Sequence, residues 1–237
     1  MCGIVGFVNN KENKEKIIKD MSKKIEHRGP DGEGFYIDDN CALAHRRLAI
    51  IDLNTGAQPI YNEDKSKVII YNGEVYNFKE LKEALLKKKH VFKTKTDTEV
   101  ILHGYEQWGE KLPNHLRGMF SFAIWDKNKN ELFMARDGFG IKPLYYAKFN
   151  DTFMFASEPK AFLANPDFEK KLNTDILSAY LCFNSVPTSE TFFKGVYRLD
   201  PGTYLIYKDG KIKTKSFFTL EFKEKNEKLY TVGWKSQ

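Results

Sequence analysis

The seven residues from Met1 to Phe7 constrain the fold and the chemistry of this chain more than any other stretch. Because Cys2 is small, an aminopeptidase can remove Met1 and leave a cysteine at the amino terminus. That residue would carry both a thiol, whose thiolate is a strong nucleophile, and an α-amine with a reference pKa of about 7.7–8.0. The apolar run from Ile4 to Val8 predicts a buried strand that anchors this terminus. The stretch therefore favours a terminal residue that supplies a nucleophile and its own base; the alternative is a small apolar residue in a frayed terminus.

Length and composition bound the class of protein. The chain has 237 residues, of which 41% are hydrophobic, enough for one large domain or two small ones. It has no run of 18 apolar residues and no basic segment followed by an apolar one, so we expect neither a membrane span nor a signal peptide. The three cysteines, Cys2, Cys41 and Cys182, are far apart. They predict no disulfide framework, and we expect a cytoplasmic protein.

Charge and histidine spacing argue against two classes of ligand. The net charge of +6 comes mostly from lysine, without clustered arginine among aromatic residues. We interpret it as a solvated surface and expect no nucleic-acid binding. No histidine is paired with cysteine or an acidic residue at a recognised metal-ligand spacing. We therefore expect no metal at any of the five histidines, which are His27, His45, His90, His103 and His115.

The apolar periodicity predicts helices mixed with antiparallel strands. Helices are predicted for Lys14–Glu26, from Asn77, from Thr96 to near Gly109, and for Asn173–Phe183. Strands are predicted for Ile4–Val8, Gly34–Ile37, Cys41–Arg46, Val68–Asn72, Met119–Trp125, Glu131–Ala135, Leu144–Ala147, Thr152–Ala156, Thr203–Tyr207 and Lys211–Lys215.

Local signals refine this outline. Asn77 with Glu80, and Thr96 with Glu99, have the spacing of capping boxes, and Asn72-Gly73-Glu74 is typical of a turn. We expect residues 52–64 to form a long polar connection without elements of its own. The pattern predicts one α+β domain over residues 1–215, followed by a charged tail or linker over residues 216–237.

Polar residues elsewhere match what acyl transfer at Cys2 would need. An asparagine side chain and a glycine N–H, Asn72 and Gly73, could stabilise an oxyanion, although Asn-Gly is more often only a turn. A substrate carboxylate calls for arginine, and the candidates are Arg28, Arg46 and Arg47. A substrate ammonium calls for acidic partners such as Glu74 and Asp97. Each of these residues also has an ordinary structural role open to it, such as a surface salt bridge or a helix cap.

Taken together, these residues belong to a longer series of motifs that resembles a known family. The matching segments, in chain order, are Met1–Ile4, His27–Asp31, Ala44–Asp52, Gly56–Ile60, Tyr71–Asn77, Thr96–Leu102, Gly118–Asp126, Ala135–Asp137, Gly140–Tyr146, Phe155–Glu158 and Pro201–Gly202. Over residues 2 to about 215, the chain resembles the N-terminal glutaminase domain of glutamine-hydrolysing asparagine synthetases, which are class II (N-terminal nucleophile) glutamine amidotransferases. The resemblance implies a four-layer α/β/β/α sandwich of two antiparallel sheets.

The resemblance also implies a role for each matching residue. Cys2 would attack the glutamine side-chain amide, with Asn72 and Gly73 as the oxyanion hole. Glu74 and Asp97 would hold the substrate ammonium. The residues implied to hold the α-carboxylate are Arg47 and the backbone of Leu48, Ala49, Ile50 and Ile51. The residues implied to shape the loop beside the nucleophile are Arg28 and Gly29.

The chain departs from the family pattern in one respect. The family's second domain binds ATP through a Ser-Gly-Gly-x-Asp-Ser loop, and this sequence contains no such loop. We therefore expect no cofactor for this domain, with ATP and Mg²⁺ belonging to an absent synthetase domain. The expected partners are L-glutamine and a synthetase domain or subunit that accepts ammonia. The chain would be a fragment, a truncated product or a free subunit, with a homodimer left open.

Two other functions remain open at this stage. A non-catalytic module that senses glutamine or binds a partner would keep the arginine and the acidic residues but would not need a free Cys2 amine. Another N-terminal nucleophile hydrolase would act on a different amide, but a residue set suited to a zwitterion opposes that reading.

Overall fold

The computed structural model describes residues 1–9, 12–49 and 56–221. Its strands are β1 (Gly3–Val8), β2 (Gly32–Ile37), β3 (Cys41–Arg47), β4 (Ile60–Tyr61), β5 (Lys67–Val75), β6 (Gly118–Asp126), β7 (Glu131–Arg136), β8 (Tyr145–Phe149), β9 (Thr152–Ala156), β10 (Val196–Arg198), β11 (Thr203–Lys208) and β12 (Lys211–Ser216). Its α-helices are α1 (Lys14–Lys24), α2 (Phe78–Lys87), α3 (Asp97–Trp108) and α4 (Leu177–Phe183). Shorter 3₁₀ helices cover Glu26–Arg28, Gly109–His115, Pro159–Ala164 and Thr174–Ile176.

These strands form two antiparallel sheets. The first sheet has the order β10-β8-β9-β1-β3-β2, and the second has the order β12-β11-β7-β6-β5-β4. The register of the first sheet pairs Gly3 with Arg46, so the start of β1 lies beside the end of β3. This pairing brings the chain terminus to the same end of the sheet, along the strand direction, as the residues that follow β3.

Alternation along the strands builds four layers. Val5 and Phe7 of β1 pack in a cluster with α1, whereas Ile4 lies in a cluster shared by the two sheets. In the second sheet, Ile69 packs in a cluster with α2 and α3, whereas Ile70 faces the first sheet. Since successive side chains on a strand point to opposite faces, each sheet carries apolar residues on both sides. The order helix, sheet, sheet, helices confirms the predicted α+β four-layer sandwich.

The segment Asn72-Gly73-Glu74 is not a turn, and the sequence prediction was wrong here. It lies inside β5, where Gly73 pairs with Phe120 of β6. A Cβ on Gly73 would lie 2.3 Å from the carbonyl oxygen of Met119. The glycine is therefore explained by the close approach of a neighbouring strand rather than by a turn conformation.

The two predicted capping boxes locate the starts of α2 and α3 correctly. The side-chain hydrogen bonds that a capping box implies do not form. Asn77 and Thr96 are the N-cap residues of α2 and α3, and neither side chain caps its helix. The Asn77 side chain instead donates to the carbonyl of His115 and accepts from the N–H of Arg117. Tertiary partners compete for these polar groups, which spacing along the chain does not reveal.

The remaining differences are short elements. The three-residue β10 was not predicted, and β4 lies within the connection expected to have no elements. The expected helix from Asn173 begins instead as a 3₁₀ turn and continues as α4. Residues 222–237 of the predicted tail lie outside the described residues. Within the described ranges, no helix has the length and apolar character that crossing a membrane requires.

Candidate active site

Four polar side chains meet at one end of the space between the sheets. Cys2 continues the inward-facing positions of β1 that include Ile4. His45 and Arg47 continue those of β3, and Asn72 continues those of β5. Strand alternation thus turns four residues from three strands toward one place.

A cavity of about 210 Å³ opens at this place. Its lining includes Cys2, His45, Arg47, Asn72, Glu74 and Asp97. The volume is below the roughly 300–1,000 Å³ of typical ligand pockets, so the cavity suits a small ligand. The structure therefore brings together the predicted nucleophile, both residues predicted for the oxyanion hole, which include Gly73, and the three charged residues predicted for the substrate.

Cys2 is half-buried, and both its thiol and its backbone carbonyl make hydrogen bonds. Its Sγ accepts a hydrogen bond from the Leu48 N–H at 3.4 Å. Its carbonyl oxygen accepts from Arg28 Nε at 3.0 Å, and Arg28 Nη1 lies 3.0 Å from Glu158 Oε1. Arg28, which was predicted to shape the loop beside the nucleophile, therefore contacts the backbone of Cys2 and holds it in place.

The buried amide of Asn72 has an unused donor. Asn72 is 2% exposed, and its Nδ2 has no hydrogen-bond partner among the described residues. Leaving a buried donor unpaired costs about 1–3 kcal/mol. An unpaired N–H beside a nucleophile is what stabilisation of a developing oxyanion requires.

On the acidic side of the cavity, Asp97 is held by two donors. Its Oδ2 accepts from the Tyr71 hydroxyl at 2.7 Å and from the Val75 N–H at 2.9 Å. Burial raises the pKa of Asp97, and the hydrogen bonds from Val75 and Tyr71 oppose that rise. Glu74, by contrast, is exposed at the cavity rim.

His45 also faces the cavity, although the sequence assigned it no substrate role. Burial, together with the nearby charge of Arg47, lowers its pKa to about 3, so the imidazole is neutral near neutral pH. Its Nε2 is buried without a hydrogen-bond partner among the described residues. The alternation of β3 was the signal available, because it puts position 45 on the same face as position 47.

Comparison with known proteins decides the family. A family model described as the glutamine amidotransferase domain matches residues 1–218. The chain belongs to this glutamine amidotransferase domain family. It is 43% identical over 230 residues to asparagine synthetase [glutamine-hydrolyzing] 1 of Bacillus subtilis, covering 94% of this chain and 36% of the relative. It is 37% identical over 243 residues to a putative asparagine synthetase [glutamine-hydrolyzing] 2 of Methanocaldococcus jannaschii, covering 93% of this chain and 47% of the relative.

Solved structures support the same fold. A glutamine phosphoribosylpyrophosphate amidotransferase from B. subtilis superposes with a TM-score of 0.66 at 21% identity. A structure described as the allosteric regulatory enzyme of purine biosynthesis gives 0.69 at 22% identity. Each match covers 92% of this chain and 50% of the other. At these identities the likeness shows the fold alone.

Within the amidotransferase domain, the structure separates the two adjacent arginines. Arg47 lines the cavity. Arg46 points to the opposite face of β3, where its Nε donates to Ser22 Oγ at 2.8 Å and its Nη2 lies 2.8 Å from Glu33. Alternation therefore places Arg47, and not Arg46, on the side of β3 that faces the cavity.

The backbone predicted to bind the carboxylate is described only in part. Leu48 lines the cavity, and the Ala49 N–H donates to Asp31 Oδ2 at 2.8 Å. Ile50 and Ile51 lie outside the described residues. A Cβ on Gly29 would lie 2.5 Å from the Arg47 nitrogen, so this loop packs directly against the end of β3.

Proposed function

We propose that this domain hydrolyses the side-chain amide of L-glutamine to glutamate and ammonia, with Cys2 as the nucleophile. The observation that carries the proposal is the meeting of the Cys2 thiol and the unused Asn72 amide in one small cavity. The family membership supports it. The non-catalytic module is less favoured because it would not need the thiol of Cys2 beside the buried amide of Asn72.

The reaction begins once Met1 is removed, since the Cys2 nitrogen is otherwise a peptide nitrogen without basicity. The freed α-amine takes the thiol proton, and the thiolate attacks the carboxamide carbon. Asn72 Nδ2 and the Gly73 N–H stabilise the resulting oxyanion. The carbon–nitrogen bond then breaks as the ammonium of Cys2 returns its proton to the leaving nitrogen, which departs as ammonia. Water hydrolyses the remaining glutamyl thioester, releasing glutamate and restoring the thiol.

Charge complementarity selects the substrate. The Arg47 guanidinium would hold the α-carboxylate, and Glu74 with Asp97 would hold the α-ammonium. Asp97 is already oriented by Tyr71 and Val75, so this part of the site is preorganised. A free amino acid with a side-chain amide satisfies all these groups at once.

The ammonia would be consumed by a synthetase domain or subunit. The chain spans about a third to a half of the length of the relatives described above, whose names include asparagine synthetase [glutamine-hydrolyzing]. We therefore infer that the complete protein or complex converts aspartate to asparagine, with ATP and Mg²⁺ bound outside this domain. A cytoplasmic location accords with this role.

Intact-mass measurement combined with a glutaminase assay tests the proposal. We expect protein lacking Met1 to release ammonia and glutamate in equal amounts, and Cys2→Ala to release neither. Cys182→Ala is the matched control, because Cys182 is exposed and outside the cavity. Trimmed protein that produced no ammonia, with or without a synthetase partner, would overturn the proposal, and retention of Met1 would favour the non-catalytic module.

A further inference from the structure

A second cluster of ligating side chains lies between α3 and the segments next to it. His90 belongs to the connection between α2 and α3, and His103 and Glu106 lie on α3. One ligand atom from each of these three residues lies within 4.8 Å of the other two. Glu63, in the connection between β4 and β5, adds a carboxylate oxygen 4.0 Å from His103 Nδ1.

The geometry points to a transition-metal site, and we propose that His90 Nδ1, His103 Nδ1 and Glu106 Oε2 bind Zn²⁺ with Glu63 as a fourth ligand. A tetrahedral zinc ion with bonds of about 2.0–2.1 Å separates its ligand atoms by roughly 3.3 Å. Glu106 Oε2 lies 2.8 Å from His103 Nδ1 and 3.7 Å from His90 Nδ1. These two separations bracket the tetrahedral value, and since one ligand atom of each residue lies within 4.8 Å of the others, rotation of the side chains would complete the site.

The outer nitrogen of each histidine faces an oxygen acceptor. His90 Nε2 lies 3.3 Å from Gln107 Oε1. His103 Nε2 is buried, has no hydrogen-bond partner in the part of the chain that the structure describes, and lies 3.7 Å from Glu99 Oε1. Without a metal, His103 Nδ1 donates a hydrogen bond to Glu106 Oε2 at 2.8 Å. In the zinc-bound form that proton leaves, Nδ1 binds the ion, and the proton that remains on Nε2 faces Glu99, as in carboxylate–histidine–zinc arrangements.

The carboxylates of Glu106 and Glu99 are held in place by further hydrogen bonds. Glu106 Oε1 accepts from Asn62 Nδ2 at 2.7 Å, which leaves Oε2 toward the histidines. Glu99 accepts from the N–H groups of Lys93 and Thr94 at 2.8 and 2.7 Å, which fixes the carboxylate behind His103. The cluster therefore has supporting contacts of the kind that orient metal ligands.

The cluster is open to solvent on one side. The His103 side chain is 1% exposed, whereas those of Glu106 and Glu63 are 18% and 44% exposed. An ion can therefore enter past the glutamates. It would tie α3 to the segments on either side of it, and it lies apart from the cavity that contains Cys2.

A protonated His103 is the rival arrangement. Although burial opposes it, the hydrogen bond to Glu106 and the neighbouring Glu99 carboxylate raise the pKa of His103 to about 9. The imidazolium would then satisfy both carboxylates without a metal. Zinc must displace that proton, so binding releases protons and weakens at lower pH. The proposal departs from the expectation, drawn from sequence spacing, that the chain binds no metal.

Titration of the full chain with Zn²⁺, followed by calorimetry, decides between the two arrangements. The chain should carry Cys2→Ser, so that the terminal thiol does not compete for metal. We expect one equivalent of Zn²⁺ with a dissociation constant below about 10 µM, and a rise in the unfolding temperature on adding the ion. His90→Ala should weaken binding by about 100-fold, and Glu99→Gln by about 10–100-fold.

His115→Ala is the matched control, because His115 is exposed and outside the cluster. Its zinc affinity should equal that of the parent chain. Replacing Zn²⁺ with Co²⁺ should give the intense visible absorption of tetrahedral coordination without a thiolate charge-transfer band. Equal affinity of His90→Ala and His115→Ala, or no saturable binding below about 1 mM, would overturn the proposal. Neither outcome depends on whether glutamine is hydrolysed.

Discussion

At the scale of single residues, the cavity is defined by buried polar groups that are not fully paired. Asn72 Nδ2 and His45 Nε2 both lack partners among the described residues and both belong to residues that line the cavity. Buried polar atoms in folded proteins are nearly always satisfied. A polar ligand bound in this cavity would supply partners for both atoms.

Asn72→Ala tests the oxyanion role. Removing one such donor lowers kcat by about 10²–10³-fold in acyl-transfer enzymes, and KM should change little because the donor acts mainly in the transition state. Steady-state glutaminase kinetics measure both constants. The exposed Asn114→Ala should match the parent chain. An Asn72→Ala chain with unchanged kcat would remove this residue from the mechanism.

His45 makes stability depend on pH. Its pKa is near 3 in the folded chain against a reference of 6.5, so the unfolded state binds a proton that the folded state excludes. Stability should therefore fall as pH drops below about 6.5, by about 2 kcal/mol between pH 6.5 and pH 5. Urea unfolding at the two pH values measures this loss, and His45→Gln should reduce it. His115→Gln, at an exposed histidine, should leave it intact, and equal losses in both variants would contradict the assignment.

At the scale of elements, the pairing of β5 with β6 positions the proposed oxyanion hole. Asn72 pairs with Ser121 and Gly73 with Phe120, so the two proposed donors are held along a continuous ladder. The sequence identified these residues through the resemblance, while its turn prediction for the same segment was wrong. Asn-Gly is a strong local turn signal, and only the neighbouring strand explains why a glycine is needed there.

Gly73→Ala should destabilise this ladder. The added Cβ would meet the Met119 carbonyl at 2.3 Å, and overpacking of this kind costs about 1–3 kcal/mol. We expect lower stability in urea and weaker glutaminase activity in the same variant. Gly32→Ala is the matched control, since its Cβ would lie 3.9 Å from the nearest atom, Arg47 Cβ. Equal stability of the two variants would show that β6 can move away without cost.

The sequence predicted several of the residues that line the cavity, but not how they are arranged there. The choice of Arg47 over Arg46 came from the resemblance, and strand alternation then accounted for it in the structure. His45 was missed because its pKa depends on burial, which a single sequence does not show. The grouping of His90, His103 and Glu106 was missed because it depends on the packing of α3 against the connection that precedes it.

At the scale of the whole molecule, a layer of apolar side chains between the two sheets holds the sheets together. Each sheet contributes fully buried residues to it, among them Phe155 of β9 and Trp125 of β6. The layered α+β architecture could be predicted because strand alternation and helical periodicity are local signals. The orders of the strands in the two sheets came from the structure alone, since they depend on contacts between residues distant in sequence.

Phe155→Ala should weaken the entire domain. Phe155 is fully buried between the sheets, and truncating such a residue costs about 3–5 kcal/mol. Urea unfolding should show one cooperative transition at a lower midpoint, because both sheets depend on this layer. Phe183→Ala is the control, since Phe183 is 68% exposed and its loss should change stability by less than about 0.5 kcal/mol. Two separated transitions would show that the sheets unfold independently.

The hydrogen bond from Arg28 to the Cys2 carbonyl holds the proposed nucleophile on its carboxyl side. On the amino side of Cys2 lies the α-amine, which acts as the base in the proposed reaction. An affinity tag or fusion partner joined ahead of Cys2 would turn this base into an amide and silence the enzyme without disturbing its fold. Recombinant versions should therefore carry an affinity tag at the carboxyl end. The specific activity of a preparation should then report the fraction of molecules from which Met1 has been removed.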